Sequence, residues 1–178
     1  MNILLGVTGA IACYKVCSLV RLMTSAGWQV RVVATPHALE FVGEITWRTL
    51  SQNKVEQSAF APAEDWHPRH IELAGWADLF VIAPLSANTM EKLAHGIADN
   101  LLTQTALAYP KPLLLAPAMN THMWNHPATQ ANVQCLIQRQ NRLLTPPAGA
   151  LACGVTGTGR LPEPEDLFAA LQAFASTP

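Results

Sequence analysis

A chain of 178 residues, half of them hydrophobic and 13% charged, is long enough to bury roughly 70% of its unfolded surface and is not disordered in composition. Eleven Lys and Arg set against twelve Asp and Glu give a net charge of −1, which leaves no basic excess for nucleic acid. No apolar run reaches the roughly 18 residues of a membrane span, and four cysteines, Cys13, Cys17, Cys135 and Cys153, are too few for a disulfide scaffold.

The N-terminus reads as a strand rather than a signal peptide. One domain over residues 1–178 and a reducing, cytoplasmic compartment are therefore expected. Neither CxxC nor HExxH occurs, so no metal site is expected. The apolar composition leaves more hydrophobic surface than a monomer needs, which points to contacts between subunits.

In chain order, Asn2–Thr8 reads as a strand ending in Gly6-Val7-Thr8-Gly9. Ala10–Ala26 carries Ile11, Val16, Leu19, Val20 and Met23 at helical spacing, closed by Gly27. Gln29–Ala34 is a Val-rich second strand, and Pro36 opens another helix. Glu44–Phe60 reads as a short helix and a loop, and Ala61–Arg69 as an exposed loop. His70–Trp76 is a short helix, and Asp78–Pro84 a buried strand. Ser86 caps a helix running to about His95, and Leu101–Ala108 is the next. Pro112–Ala116 is a fourth strand, His122–Arg139 contains a helix with Pro127 near its first turn, and Arg142–Thr145 is a fifth strand. Gly149–Arg160 reads as a mobile glycine-rich loop, and Glu163–Ser176 as an amphipathic terminal helix.

Strands alternating with helices predict an α/β fold, a three-layer doubly wound parallel sheet of Rossmann or flavodoxin type. Ligands of such sheets bind beyond the carboxyl ends of the strands. The polar motifs fall there: Gly6–Ala10, Thr35-Pro36-His37, Pro84–Thr89 and Pro117–Trp124.

Each motif has two readings. Gly6–Ala10 allows close backbone approach and a phosphate at the following helix start, or is a tight structural turn. It lacks the full GxGxxG and P-loop patterns. Ser86-Ala87-Asn88-Thr89 gathers more hydroxyl and amide groups than one helix cap needs. Pro117–Trp124 places Asn120 beside Met119, Met123 and Trp124. That is either a capped helix start over a core or an amide that holds a carboxylate in a dry pocket. His70 is a surface or core histidine, or an acid–base group. Cys153 sits among small residues in the glycine-rich loop, where a thiol can close over a ligand. Arg160 gives that loop one cation, with a solvated surface charge as the alternative, and a substrate phosphate could be held by Lys15, Arg160 or a residue of a neighbouring subunit.

Several of these motifs, in this order, resemble the flavin-dependent cysteine decarboxylases over nearly the whole chain. The matching residues begin with Gly6-Val7-Thr8-Gly9, Ile11-Ala12 and Tyr14-Lys15. They continue through His70-Ile71-Glu72-Leu73-Ala74, Trp76-Ala77-Asp78, Ala83-Pro84 and Ser86-Ala87-Asn88-Thr89. His95-Gly96-Ile97-Ala98-Asp99-Asn100, Pro117-Ala118-Met119-Asn120 and Met123-Trp124 follow, then Leu151-Ala152-Cys153-Gly154 and Gly159-Arg160-Leu161-Pro162-Glu163-Pro164. Val155-Thr156 departs from the family, which commonly has an acidic residue at the first position.

The resemblance implies an FMN cofactor and assembly as homotrimers or dodecamers, with active sites between subunits. It places FMN contacts at Gly9, Ala10, Ile11, Thr35, His37, Ser86, Ala87, Asn88, Thr89 and Ala118. Catalytic roles fall to His70, Asn120 and Cys153, and substrate contacts to Met119, Asn120, Ala152 and Cys153.

The implied reaction is decarboxylation of 4′-phosphopantothenoylcysteine to 4′-phosphopantetheine in coenzyme A biosynthesis. Oxidation at the thiol carbon gives a thioaldehyde, whose C=S bond accepts the electrons released with carbon dioxide. FMN is the two-electron acceptor and later returns hydride. Asn120 holds the carboxylate, His70 does acid–base or positioning work, and Cys153 protonates the enethiolate. The alternative is a peptidyl-cysteine decarboxylase, which stops at a C-terminal enethiol. A flavin prenyltransferase and a non-catalytic flavin-binding subunit are further readings. Pro117–Trp124 and Cys153 argue against the first, and the joint presence of His70, Asn120 and Cys153 against the second. Many bacterial relatives continue into a synthetase domain, whose activity is expected on another chain.

Overall fold

The structure, a computed structural model, describes residues 1–60, 67–152 and 154–176. Its centre is a six-stranded sheet of β1 (Asn2–Val7), β2 (Gln29–Ala34), β3 (Val55–Glu56), β4 (Leu79–Leu85), β5 (Leu114–Pro117) and β6 (Arg142–Leu143). The order is β3-β2-β1-β4-β5-β6 and every pairing is parallel. This is the Rossmann order, with the chain reversing direction across the sheet between β1 and β4.

The side-chain period of two explains the layers. From β1, Ile3, Leu5 and Val7 pack on one face with α1 (Cys13–Ser25), α2 (Pro36–Phe41), α3 (Glu44–Ser51) and α9 (Pro164–Ala175). Leu4, Phe80, Ile82 and Leu115 point the other way, onto α4 (Arg69–Trp76), α5 (Ala87–His95), α6 (Leu101–Ala108) and α8 (Pro127–Gln138). In α1 the buried residues Cys13, Val16, Leu19, Val20 and Met23 recur every three or four positions. The helix ends as its sequence predicts. Gly27 takes φ +76°, and the amides of Gly27 and Trp28 return to the Thr24 and Met23 carbonyls.

Three sequence expectations need correction. Glu44–Phe60 contains the additional strand β3, which places six strands in the sheet rather than five. The helical stretch after His122 is two helices, α7 (Thr121–Asn125) and α8, because Pro127 starts a new helix and His126 caps it.

The third correction concerns the glycine-rich segment. It is an anchored hairpin of β7 (Ala148–Ala150) and β8 (Thr156–Thr158) rather than a loose loop. The Gly159 carbonyl accepts the Met119 amide at 2.9 Å, and the Thr121 hydroxyl donates to the Thr158 carbonyl at 2.7 Å. Gly159 has φ +124°, and a Cβ there would run into the Met119 carbonyl oxygen. Only glycine lets β8 leave along this path.

Candidate active site

The C-terminal ends of β1, β4 and β5 carry short turns into helices, and these turns wall a cavity of about 490 Å³. Gly9, Ala10, Ile11 and Ala12 come from the β1–α1 turn, Ser86 and Ala87 from the start of α5, and Ala118, Met119 and Asn120 from the β5–α7 turn. The hairpin closes the opposite side with Ala150, Leu151 and Ala152, and Arg160 and Leu161 follow it. The cavity therefore opens beside the reversal between β1 and β4, where doubly wound sheets bind ligands.

Thr8 joins two of these turns. Its hydroxyl is buried, donates to the Pro84 carbonyl at 2.6 Å and accepts the Ser86 amide at 2.8 Å. The sequence places Thr8 in the first motif but does not show this link, because a bonding partner 76 residues away leaves no local pattern. Ser86 caps α5 by accepting the Thr89 amide at 3.3 Å. Asn120 caps α7, with its Oδ1 accepting the His122 amide at 2.8 Å. The cap turns the oxygen of that amide into the helix, which sets the orientation of a side chain that also lines the cavity.

The residues expected at the site are thus divided. Gly9, Ala10, Ile11, Ser86, Ala87, Ala118, Met119, Asn120 and Ala152 share the cavity. Thr35, His37, Asn88 and Thr89 do not line it. Thr89 is buried against Ser86, and His37 is exposed but touches the turn: a Cβ on Gly9 would lie 2.6 Å from the His37 Cβ. Thr35 is buried, and its hydroxyl is the one buried side-chain polar atom among the described residues with no hydrogen-bond partner. His70 is half-buried at the start of α4 and does not line the cavity. Cys153 lies outside the described residues, between Ala152 on the cavity wall and Gly154. Tyr14 and Met123 also line the cavity.

The other thiols are engaged in packing. Burial pushes the Cys13 thiol up to about 11 and raises Cys17 as well. Cys13 donates to the Thr8 carbonyl at 3.3 Å, and Cys135 to the Ala94 carbonyl at 3.4 Å. Protonated at neutral pH, Cys13 and Cys17 are poor nucleophiles. Among the described residues no group of three or more His, Cys, Asp and Glu side chains converges.

The profile of the Flavoprotein family matches residues 1–176. The chain belongs to the Flavoprotein family. It is 45% identical over 166 residues to the coenzyme A biosynthesis bifunctional protein CoaBC of Bacillus subtilis, covering 93% of this chain and 41% of that protein. The chain thus spans about two-fifths of that curated relative's length. A cysteine-to-serine mutant of PPC decarboxylase, solved in complex with pantothenoylaminoethenethiol, is 36% identical. It superposes with a TM-score of 0.89 over 99% of this chain and 98% of that one. The FMN-dependent cysteine decarboxylase SpaF is 30% identical, with a TM-score of 0.85 over 99% of this chain and 98% of that one. The flavoprotein fold is thus shared end to end with both solved enzymes.

Proposed function

We propose that this flavoprotein is an FMN-dependent decarboxylase of 4′-phosphopantothenoylcysteine in coenzyme A biosynthesis, with residues 1–178 forming one catalytic domain. One observation carries the reading. The β1–α1 turn, the start of α5, Asn120 and the hairpin segment beside Cys153 meet on a single cavity, in a chain that superposes on a PPC decarboxylase over its full length.

The cavity suits FMN. Its volume falls in the range that holds a cofactor-sized ligand, and the turn before α1 presents backbone to a phosphate. The buried Thr35 hydroxyl has no partner, and the Thr35 amide donates to the Val7 carbonyl at the end of β1, just before that turn. Gly9, Ala10, Ile11, Ser86, Ala87 and Ala118 would hold the cofactor, supported by Thr35, His37, Asn88 and Thr89. When bound, FMN supplies the two-electron chemistry that makes the cysteine carboxylate a leaving group.

The chain's own residues bind and orient. Asn120 holds the substrate carboxylate through its amide, already fixed by the α7 cap, with Met119 and Ala152 packing alongside. Cys153 then gives a proton to the enethiolate carbon. His70 does not reach the cavity of its own chain, so a second copy supplies it, in a homotrimer or dodecamer with sites between subunits. Exposed apolar side chains support such contacts: Ile71, beside His70, is 53% exposed, Ile45 70% and Leu107 66%. No helix among the described residues is long and apolar enough to cross a membrane. The free thiols Cys13, Cys17 and Cys135 suit a reducing cytoplasm.

Mass spectrometry of 4′-phosphopantothenoylcysteine after incubation tests the reading. Loss of carbon dioxide with hydrogen count retained is the expected product. Cys153→Ala is expected to lose carbon dioxide and two further hydrogens, ending at the enethiol. Loss of those hydrogens by the unaltered protein would move it to peptidyl-cysteine decarboxylation, and no loss of carbon dioxide would sink the substrate assignment. Gly9→Ala drives a methyl against His37 and is expected to weaken FMN binding about tenfold, read by quenching of flavin fluorescence. An unchanged dissociation constant would remove that turn from the cofactor site.

A further inference from the structure

The cavity has a charged wall that the reaction chemistry leaves unused. Lys15 and Arg160 are the two charged residues among the described residues lining it, and no Asp or Glu is among them. Both reach the same atom, Oε1 of Glu163, at the N-cap of α9. Lys15 does so at 2.9 Å with only 11% of its side chain exposed, and Arg160 donates through Nη2. Arg160 is laid in place by the hairpin: a Cβ at Gly149 would stand 3.0 Å from its Nη1 and 3.2 Å from its Cδ. The Lys15 hydrogen bond, with the Arg160 charge behind it, holds the Glu163 carboxyl below its ordinary range.

Two cations drawn to one carboxylate oxygen stand as close together as the oxygens of a phosphate require. They outnumber the carboxylate, so the wall keeps a positive excess toward the cavity. Glu163 is 45% exposed, which lets it turn into solvent when a more highly charged anion arrives. Its role is to hold Lys15 and Arg160 together against their mutual repulsion until then.

We propose that Lys15 and Arg160 form a phosphate-monoester subsite that selects the phosphorylated substrate, with Glu163 as the placeholder displaced on binding. The inference rests on the decarboxylase reading for the identity of the phosphate's carrier. The purely structural alternative is a clamp joining α1, the end of the hairpin and α9.

Calorimetric titration of the flavin-loaded protein with 4′-phosphopantetheine and with pantetheine separates these. The unaltered protein is expected to bind the phosphorylated compound at least about tenfold more tightly. Lys15→Gln and Arg160→Gln are each expected to reduce that ratio severalfold while pantetheine binding holds. In the unaltered protein the ratio is expected to shrink as salt rises, a readout that needs no variant. Equal weakening of both compounds would mean a clamp alone and overturn the subsite. So would a ratio near one in the unaltered protein. Loss of discrimination between FMN and riboflavin, with the pantetheine ratio intact, would assign the cations to the flavin and also overturn it. Because these are binding ratios, a protein that releases no carbon dioxide removes the decarboxylase reading and leaves the subsite result standing.

Discussion

Asn120→Ala is expected to leave a folded, FMN-loaded protein whose kcat/KM for decarboxylation falls about 100-fold to 1,000-fold, the usual cost of losing an orienting donor. The proposed carboxylate role falls on a side chain that is also a helix cap, and the experiment must part the two. Its Oδ1 caps α7 through the His122 amide, and losing a cap costs about 1 kcal/mol, a fall in Tm of roughly 2–4 °C for a chain of this size. Asn120→Asp keeps an oxygen for the cap but meets the substrate carboxylate with a like charge. It is expected to restore the Tm and not the rate. If Asn120→Asp restored the rate along with the Tm, the amide would be a helix cap and nothing more. If Asn120→Ala lost activity only in proportion to bound flavin, the carboxylate role would likewise fail.

Much of this site is legible in the sequence because each piece sits at the end of an apolar run. The runs Leu4-Leu5, Val32-Val33 and Leu79–Ile82 locate strands, and in a doubly wound sheet the residues just after a strand stand at the ligand edge. Gly9, Ser86 and Asn120 are found that way. What stays hidden is made of contacts with no local period. Strand β3 is two residues long, too short for alternation, and exists through its register with Val32 and Val33. The hairpin over 148–158 carries little but Ala, Gly and Thr in its strands, so its composition reads as a loop. Its anchoring comes from direct hydrogen bonds with Met119 and Thr121 at the start of α7. The break before Pro127 is readable, since proline favours the first position of a helix, but a continuous 3.6 period masks it. The meeting of Lys15 with Glu163 spans 148 positions, and only folding brings them together.

The largest stability effect is expected at Glu56, the end of the strand that the sequence does not reveal. Its side chain is only 6% exposed and takes the guanidinium of Arg69, itself 16% exposed. Arg69 Nε donates to Oε2 at 2.8 Å and Nη2 to Oε1. Arg69 also reaches Glu72 at 2.5 Å, Glu72 takes Arg31 at 3.0 Å, and Arg31 lies over the Trp76 ring at 4.5 Å. This chain of charges fastens the first turn of α4 to the edge of the sheet. Removing one partner of a buried pair costs about 3–5 kcal/mol. Arg69 keeps Glu72, so Glu56→Gln is expected to cost nearer ~2–4 kcal/mol, or about 5–15 °C in Tm.

Acid should have the same effect. Burial raises the Glu72 carboxyl, but hydrogen bonds and charge from Arg31 and Arg69 outweigh it and hold the group below its ordinary 4.5. A carboxyl depressed in the fold contributes stability above its unfolded pKa and loses it as pH falls through the folded value. The Tm of the unaltered protein is therefore expected to drop on acidification below about pH 4.5. Glu72→Gln should flatten that part of the profile. His70 follows Arg69 directly, so under the proposed assembly the same anchor would set where this histidine meets a second copy. Glu56→Gln should lower kcat at temperatures where the fold is intact. A Tm change under about 2 °C would mean that α4 is held by Leu73 and Ala74 in the core, with the charges as bystanders.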